Sequence, residues 1–288
     1  MTRQALSRPT QGNKASALRR LKHALGFVFD MDGTLVLGDN NNQGLKPLPG
    51  ALALIDKLNQ DGVPYVVFTN GTPRSPALYA EKLRGAGFPI EDHQMLTPVS
   101  GAVDLFLKRR YRRVCVLGGE GISAPLEEAG IEVVPAEGKP EVDAVFAGWF
   151  REFTMAHLEA ACHAVWQGAK VYSASRSLFF ATANGRSFGT SRMMTAVIKD
   201  LTGARINVIG KPSIHALRCA GRRLDAALDQ IVVVGDDPAL EPAMALRGGS
   251  LAVAVATGIG RAEDYAEMEG QDRPHLFLEG VDELLALL

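Results

Sequence analysis

Two aspartates, Asp30 and Asp32, stand one residue apart in the stretch FVFDMDGTLV, directly after a run of apolar residues. Carboxylates this close repel each other, which costs free energy unless a cation binds them or one of them keeps a proton. A single aspartate after a strand is usually a cap or turn residue. The pair instead indicates a site that binds a cation or moves a proton.

Polar side chains follow three further apolar stretches of the chain. Thr69 and Asn70 end YVVFTN, Lys211 follows INVIG, and Asp236 and Asp237 end IVVVGDD. If these stretches are strands of one parallel sheet, their last residues lie where the loops at its carboxyl edge converge. The sequence therefore predicts that carboxylate, hydroxyl and ammonium groups meet at this edge.

Such a group of side chains fits phosphate chemistry. Asp30 and Asp236 would give the hard oxygen ligands that Mg²⁺ takes up together with water and substrate phosphate. The predicted phosphate-binding residues are Gly33, Thr69, Asn70 and Lys211. A carboxylate that approaches a phosphate at about 4 Å meets a repulsion of about 4 kcal/mol if the effective dielectric constant is about 20. The positive charges of Mg²⁺, as cofactor, and of Lys211 would turn this repulsion into a net attraction.

The two carboxylates of the pair would need different roles in this reaction. One would attack phosphorus and form an aspartyl-phosphate. The other would give a proton to the leaving oxygen and later take one from water. An unperturbed aspartate, with a pKa of about 3.9, holds little proton at neutral pH, so its neighbours must raise that pKa.

The elements that position these residues follow an α/β pattern. Short β-branched stretches alternate with amphipathic helical patterns along the chain. The continuous apolar runs YVVF and IVVV indicate strands that are covered on both faces, as in a mostly parallel sheet.

Composition excludes several classes of protein. The chain has 288 residues, 47% of them hydrophobic and 22% charged, and a net charge of -1, which is typical of a soluble globular protein and gives no basis for nucleic-acid binding. No apolar run reaches the roughly 18 residues of a membrane span. Cys115, Cys162 and Cys219 form no CxxC pair, so we expect a reducing compartment, the cytoplasm.

The first segment has a different composition from the rest. No acidic residue occurs up to Phe29, although arginine and lysine are frequent there. We expect residues 1–24 to be a basic, solvated and disordered leader. An organelle-targeting sequence, which has a similar composition, is the alternative.

In their order along the chain, the motifs resemble those of the haloacid dehalogenase superfamily. They are DMDGT at 30–34, FTN at 68–70, GKPS at 210–213 and VVVGDD at 232–237. The longer stretches FTNGTPRSPALYAEKLRGAG and DAVFAGWFREFTMAHLEAA are similar to subgroup IIA, the para-nitrophenyl-phosphatase-like branch. The resemblance covers the chain from Gly26 onward.

This resemblance implies an α/β fold with a Rossmann-like parallel-sheet core and an inserted α/β cap domain of the C2 type. We expect the core in residues 25–97 and 206–288 and the cap in residues 98–205. Caps of this subgroup often form a dimer contact, which makes a homodimer through the cap a further expectation.

The resemblance also implies a role for each site residue. Asp30 would be the nucleophile and Asp32 the general acid and base, while Thr69 and Lys211 would bind the phosphoryl group. The implied metal ligands are Asp30, the backbone carbonyl of Asp32, and Asp236, with Asp237 and Glu241 as further candidates.

The chain departs from the subgroup pattern at two places. Glu241 stands where members usually carry a second aspartate, and its extra methylene would displace the carboxylate. In the cap, ASRS at 174–177 replaces the usual TNxD. Arg176 and Arg186 are candidates to bind an anionic part of the substrate, although solvent exposure is the preferred interpretation. For Trp149, packing inside the cap is preferred over lining the cleft.

The leading hypothesis is a Mg²⁺-dependent phosphatase that hydrolyses small phosphorylated metabolites through an aspartyl-phosphate. Because of the departures, one alternative is a weakly active or inactive protein of the same fold that binds a phosphate ligand or has a regulatory role. A phosphotransferase, in which the phosphoryl group passes to a sugar hydroxyl, is the other alternative.

Overall fold

The computed structural model describes residues 11–38, 44–182, 185–266, 268 and 273–288. The strands, in chain order, are β1 (Gly26–Phe29), β2 (Val36–Leu37), β3 (Lys46–Pro47), β4 (Tyr65–Phe68), β5 (Met95–Leu96), β6 (Arg113–Leu117), β7 (Glu132–Val134), β8 (Ala144–Ala147), β9 (Lys170–Ser173), β10 (Phe179–Thr182), β11 (Gly185–Phe188), β12 (Ile206–Val208), β13 (Ile231–Gly235), β14 (Leu251–Val255) and β15 (Leu276–Leu278). The helices are α1 (Gln11–Lys22), α2 (Ala51–Gln60), α3 (Pro76–Gly85), α4 (Pro98–Lys108), α5 (Glu120–Glu128), α6 (Met155–Trp166), α7 (Thr190–Thr202), α8 (Ile214–Leu224), α9 (Glu241–Gly248), α10 (Ala262–Ala266) and α11 (Val281–Leu287).

Six strands form the first sheet, here called the core sheet, in the order β15-β14-β13-β1-β4-β5. All neighbouring strands in it are parallel. From β1 the chain continues to β4 on one side and later returns to β13 on the other. Such a reversal of strand order opens a crevice at the carboxyl ends of the strands, where ligands bind in open α/β sheets.

Five parallel strands form a second sheet, here called the cap sheet, in the order β12-β9-β8-β6-β7. It is built by the segment of the chain between β5 and β13. These two sheets confirm the predicted α/β fold with a Rossmann-like core and an inserted cap. β12 pairs with β9 in the cap sheet, although the predicted core segment begins at residue 206. The chain thus leaves the cap sheet only after Val208, and the three-part domain division stays a prediction.

Side chains of the core strands alternate between two apolar layers. Phe27 and Phe29 of β1 belong to the layer that also contains Leu54 of α2. Val28 belongs to the opposite layer, together with Leu217 of α8. Both faces of the strand are therefore covered, which is why β1 reads as a continuous apolar run instead of an alternating one.

The helix α1 lies on the core, so the prediction of a disordered leader is wrong for this part of residues 1–24. Ala17 and Leu21 are buried in an apolar layer of the core. Arg20 donates a hydrogen bond to the carbonyl of Gly249 at 2.7 Å. These apolar residues recur four apart and thus share one helix face, a signal that the basic composition masked. Residues 1–10 lie outside the described part of the chain.

In the described residues, no helix combines the length and the apolar character that a membrane span requires.

The ring of His275 links this helix to the edge of the core sheet. Its Nδ1 accepts a hydrogen bond from the N–H of Ala252 at 3.0 Å, and the Arg20 guanidinium lies 3.3 Å from its Nε2. Burial and the charge of Arg20 lower the pKa of His275 from its ordinary value of 6.5. As the pH falls through 6.5, the unfolded chain takes up a proton more readily than the folded protein does, so stability is lost in that direction.

We expect the variant His275→Asn to lose less stability in acid than the wild type, because asparagine keeps an acceptor for Ala252 and does not titrate. Urea unfolding at about pH 7.5 and about pH 5.5 measures this difference. The exposed His93 supplies the control His93→Asn. An equal acid-induced loss in the wild type and in His275→Asn would exclude this ring as the source.

Candidate active site

The strand register fixes the position of Asp30. Phe29, the last residue of β1, lies opposite Val234 on one side and Val67 on the other. Directly after it, the N–H of Asp30 donates to the carbonyl of Val234 at 2.9 Å. The main chain that carries this carboxylate is therefore held by the sheet itself.

A cavity of about 380 Å³ lies at the carboxyl edge of the core sheet, and residues of both the core and the cap line it. The predicted site residues that line it are Asp30, Asp32, Thr69, Asn70, Lys211, Asp236, Asp237 and Glu241. Gly33, the other predicted site residue, is not among the described lining residues. The fold thus brings together groups that are separated by up to about two hundred positions in the chain.

Lys211 is the buried cation of this site. Its side chain is 1% exposed, its Nζ contacts Oδ1 of Asp30, and Oε1 of Glu241 lies 2.6 Å away. Burial by itself lowers the pKa of an ammonium group, but the charges of Asp30 and Glu241 outweigh it and raise the pKa of Lys211. Lys211 is therefore a permanent positive charge beside Asp30.

Glu241 makes a contact that was not predicted from the sequence. Its carboxylate is 1% exposed and pairs with Lys211. A Cβ on Gly235 would lie 2.2 Å from the Cγ of Glu241, so only a glycine at the end of β13 leaves room for this longer acid. Burial raises the pKa of Glu241, and the charge of Lys211 opposes this shift. We interpret Glu241 as the ion-pair partner of Lys211.

Asn70 holds the main chain of Lys211. Its Oδ1 accepts from the N–H of Lys211 at 2.8 Å, and its Nδ2 donates to the carbonyl of Lys211 at 3.0 Å. A Cβ on Gly210 would lie 2.5 Å from this Oδ1, so the glycine of GKPS permits the contact. Nδ2 also donates to the hydroxyl of Ser175 at 3.4 Å. The amide of Asn70 therefore positions Lys211, and phosphate binding by Asn70 stays a prediction.

Asp236 is enclosed by backbone. Its Oδ2 accepts from the N–H of Ile259 at 2.7 Å, and its carbonyl accepts from the hydroxyl of Tyr265 at 2.7 Å. Gly33, with φ +85°, and Gly258 approach the carboxylate so closely that a Cβ on either would overlap it. The N–H of Gly33 donates to the carbonyl of Val36, so Gly33 makes room for Asp236 and its N–H is not available to bind phosphate.

Burial raises the pKa of Asp236, and the negative charges of Asp30 and Glu241 raise it further. A divalent cation bound by Asp30 and Asp236 would oppose this repulsion. In the described part of the chain, no three acidic, histidine or cysteine side chains converge as a metal-holding cluster. Mg²⁺ is usually held by one or two carboxylates with water and substrate phosphate, so the two carboxylates fit this ion.

Thr69 is buried and contacts Asp32, which lies further out. The hydroxyl of Thr69 accepts from the N–H of Gly71 at 3.0 Å and donates to Oδ2 of Asp32 at 3.4 Å. Asp32 is partly exposed, whereas Asp30 is 7% exposed. Asp32 is therefore accessible to water, with which it can exchange a proton. Asp30, which is buried beside Lys211, is less accessible.

Several contacts across the cavity were not predicted from the sequence. Trp149 lines the cavity, contrary to the preferred interpretation of packing inside the cap, and its backbone N–H donates to the hydroxyl of Thr72 at 2.7 Å. Arg74 also lines the cavity from the core side, whereas Arg176 is exposed and is not among the described lining residues. The side chain of Arg186 lies outside the described residues. Only the approach of the cap to the core reveals these contacts.

An aspartate at the end of a central parallel strand, a buried lysine beside it and a second aspartate on the neighbouring strand define a hydrolase site of the haloacid dehalogenase type. The chain belongs to the family of haloacid dehalogenase-like hydrolases: one model of that description matches residues 27–132, and a second, for HAD-like hydrolases, matches residues 208–284.

Three similar proteins from bacteria illustrate the match. A 5'-nucleotidase of Bacillus subtilis strain 168 is 28% identical over 248 residues, which span 86% of this chain and 93% of that protein. An acid sugar phosphatase of Staphylococcus epidermidis is 26% identical over 250 residues, with coverage of 86% and 93%. The crystal structure of a thermostable NPPase double mutant from Geobacillus stearothermophilus matches with a TM-score of 0.79 at 25% identity and covers 91% of this chain and 98% of that one. These matches confirm the predicted superfamily and its para-nitrophenyl-phosphatase-like branch.

Proposed function

We propose that this hydrolase is a Mg²⁺-dependent phosphatase of small phosphorylated metabolites that works through an aspartyl-phosphate. The observation that carries the proposal is the contact of Asp30 with the buried Lys211 at the floor of a cavity that also contains Asp32. At this position the carboxylate of Asp30 would face the phosphate group of a substrate, with the fixed positive charge of Lys211 beside it. The names of the relatives, a 5'-nucleotidase and an acid sugar phosphatase, support a phosphomonoester as substrate.

In the first step, an oxygen of Asp30 attacks phosphorus, and the bond between phosphorus and the leaving oxygen breaks. Asp32 gives its proton to that oxygen, which leaves as an alcohol. In the second step, Asp32 takes a proton from water, which attacks the phosphoryl group and releases phosphate and Asp30. Lys211 and Thr69 would stabilise the charge on the transferring group.

Asp30, Asp236 and the carbonyl of Asp32 would hold Mg²⁺, which when bound supplies positive charge that favours attack by an anionic nucleophile. We expect chelation with EDTA to abolish phosphate release and added Mg²⁺ to restore it. Saturating Mg²⁺ should also raise stability, by about 2.7 kcal/mol at roughly a hundredfold excess over its Kd. Thermal unfolding with and without Mg²⁺ measures this second effect independently of turnover.

The variant Asp236→Asn is the matched control, since it removes a proposed ligand and keeps the shape of the side chain. It should lose most of the Mg²⁺-induced shift. If the wild type showed no shift and no Mg²⁺-dependent release of phosphate from a broad panel of esters, a phosphate-binding protein would replace the phosphatase.

We also propose a homodimer through the cap. Large apolar side chains are exposed along one face of α7 and beside it. They are Met193 at 46%, Val197 at 41%, Leu201 at 60%, Leu178 at 61% and Phe188 at 66%. Exposed apolar side chains along a helix face favour association, and a two-fold contact would pair α7 with its copy.

Val197→Asp should convert the dimer to a monomer, because it places a charge at the centre of that contact. Sedimentation velocity at several concentrations measures the change. Leu78, which is 48% exposed on α3, supplies the control Leu78→Asp, which should leave the dimer intact. A wild-type protein that sediments as a monomer at every concentration would refute the dimer.

The cytoplasm is our proposal for the compartment. Cys115, Cys162 and Cys219 are buried and free of disulfides, which is compatible with a reducing environment.

A further inference from the structure

The charges that line the cavity are unevenly divided between core and cap. All of its acidic lining residues belong to the core, where they surround the proposed metal and nucleophile. The described cap residues that line it are uncharged. They are Trp149, Ser175, Ser177, Phe179, Gly189, Thr190 and Ser191. A leaving group bound against the cap therefore meets no carboxylate from that wall.

Most hydroxyl protons of the cap wall are already bound within the protein. Ser175 donates to the hydroxyl of Ser177 at 3.1 Å, Ser191 to the carbonyl of Ser175 at 3.3 Å, and Thr190 to the carbonyl of Gly148 at 3.4 Å. Ser177 accepts the bond from Ser175, which leaves its own proton for a ligand. The wall thus offers few of the paired donors and acceptors that sugar hydroxyls require.

Arg74 supplies the cation of this outer region. Its guanidinium lies 6.0 Å from the ring centroid of Tyr79, which is fully buried. In the described part of the chain, no carboxylate pairs with Arg74. It stands one residue before Ser75, the N-cap of α3, where the helix dipole adds positive potential.

We propose that Arg74, with the hydroxyl of Ser177, binds a second anionic group on the leaving part of the substrate. The guanidinium presents donors in a planar fork and no acceptor, which matches a carboxylate and discriminates against a neutral alcohol. The substrate class is therefore a small phosphomonoester with a second anionic group such as a carboxylate. This inference rests on the proposed phosphatase function and assigns Arg74 as a specificity-determining residue.

Two esters that differ only at the relevant group test the assignment. 3-Phosphoglycerate carries a carboxylate where glycerol 3-phosphate carries a neutral hydroxymethyl group. We expect kcat/KM for 3-phosphoglycerate to be at least about tenfold higher in the wild type, the effect of one hydrogen-bonded charge pair. Arg74→Gln should remove this preference, and the loss should appear in KM for 3-phosphoglycerate more than in kcat.

Arg176→Gln is the matched control, because Arg176 is exposed and is not among the described lining residues; it should retain the preference. Equal kcat/KM for the two esters in the wild type, or a preference that survives in Arg74→Gln, would overturn the assignment. Loss of the preference for 3-phosphoglycerate in Arg176→Gln, with the preference retained in Arg74→Gln, would also overturn the assignment.

Binding separates this inference from the proposed function. Calorimetry on Asp30→Asn and on Asp30→Asn/Arg74→Gln compares the affinities for the two esters without turnover. If the wild type hydrolysed no ester, including 4-nitrophenyl phosphate, the proposed phosphatase function would be wrong. The ratio of the affinities for the two esters would still decide whether Arg74 binds the second anionic group.

Discussion

Asp30→Asn should reduce kcat for 4-nitrophenyl phosphate by at least about a thousandfold, because an amide oxygen is a far poorer nucleophile than a carboxylate. The substitution keeps the shape of the side chain, and the backbone of Asp30 stays bound to Val234. It removes one of the two carboxylates beside Lys211, but Glu241 remains as a partner of that cation, so we expect the protein to stay folded. Steady-state kinetics in saturating Mg²⁺ measures kcat, and thermal unfolding verifies the fold.

Asp61 provides the matched control, since it is exposed and pairs with Lys57 on the surface. Asp61→Asn should have wild-type kcat, as surface ion pairs contribute little. Full activity of Asp30→Asn would show that another group attacks phosphorus, and the aspartyl-phosphate on Asp30 would have to be abandoned.

Removal of Lys211 should have the second large effect, on both activity and stability. Lys211→Met keeps much of the volume but leaves Asp30 and Glu241 buried without their shared cation. Breaking a buried ion pair in this way costs about 3–5 kcal/mol of unfolding free energy. Turnover should fall below detection, because the charge beside the phosphoryl group is lost. Urea unfolding in EDTA measures the loss of stability without compensation by a bound cation.

The double variant Lys211→Met/Glu241→Gln separates the two effects. It removes the uncompensated carboxylate of Glu241, so it should recover at least about 1 kcal/mol of stability relative to Lys211→Met. Activity should stay lost. If the double variant regained activity, Lys211 would matter only for folding; if it regained no stability, the buried charge on Glu241 would not be the cause of the loss.

The sequence was sufficient to locate the chemical groups at the strand ends. Asp30, Thr69 and Asp236 each follow a continuous apolar run, and a parallel sheet brings the carboxyl ends of such runs to one edge. Lys211 is an exception, because the strand before it, β12, belongs to the cap sheet. The packing of the two sheets against each other brings it to the cavity that the other three residues line. Their catalytic and metal-binding roles remain predictions that the variants above test.

Other assignments were incomplete because they depended on partners far away in the chain. Asn70 was predicted to bind phosphate, but its amide meets the main chain of Lys211, 141 positions away. Glu241 was predicted as a metal-site residue. Its longer side chain reaches Lys211 because Gly235, which has no Cβ, leaves room for it. Tyr265 lies outside the quoted motifs, and the stretch that contains Arg74 does not show from the sequence that this side chain lines the cavity.

By itself, the sequence determined the α/β class, the order of the motifs and the identities of the acids and the lysine, because strand periodicity and residue chemistry are local properties. Tertiary structure decided which carboxylate pairs with Lys211, which glycines make room for Asp236, how α1 packs and which cap groups face the substrate. Those outcomes depend on distances of a few ångströms between segments that are remote in the chain, and such distances are set only when both sheets and their connecting loops pack together.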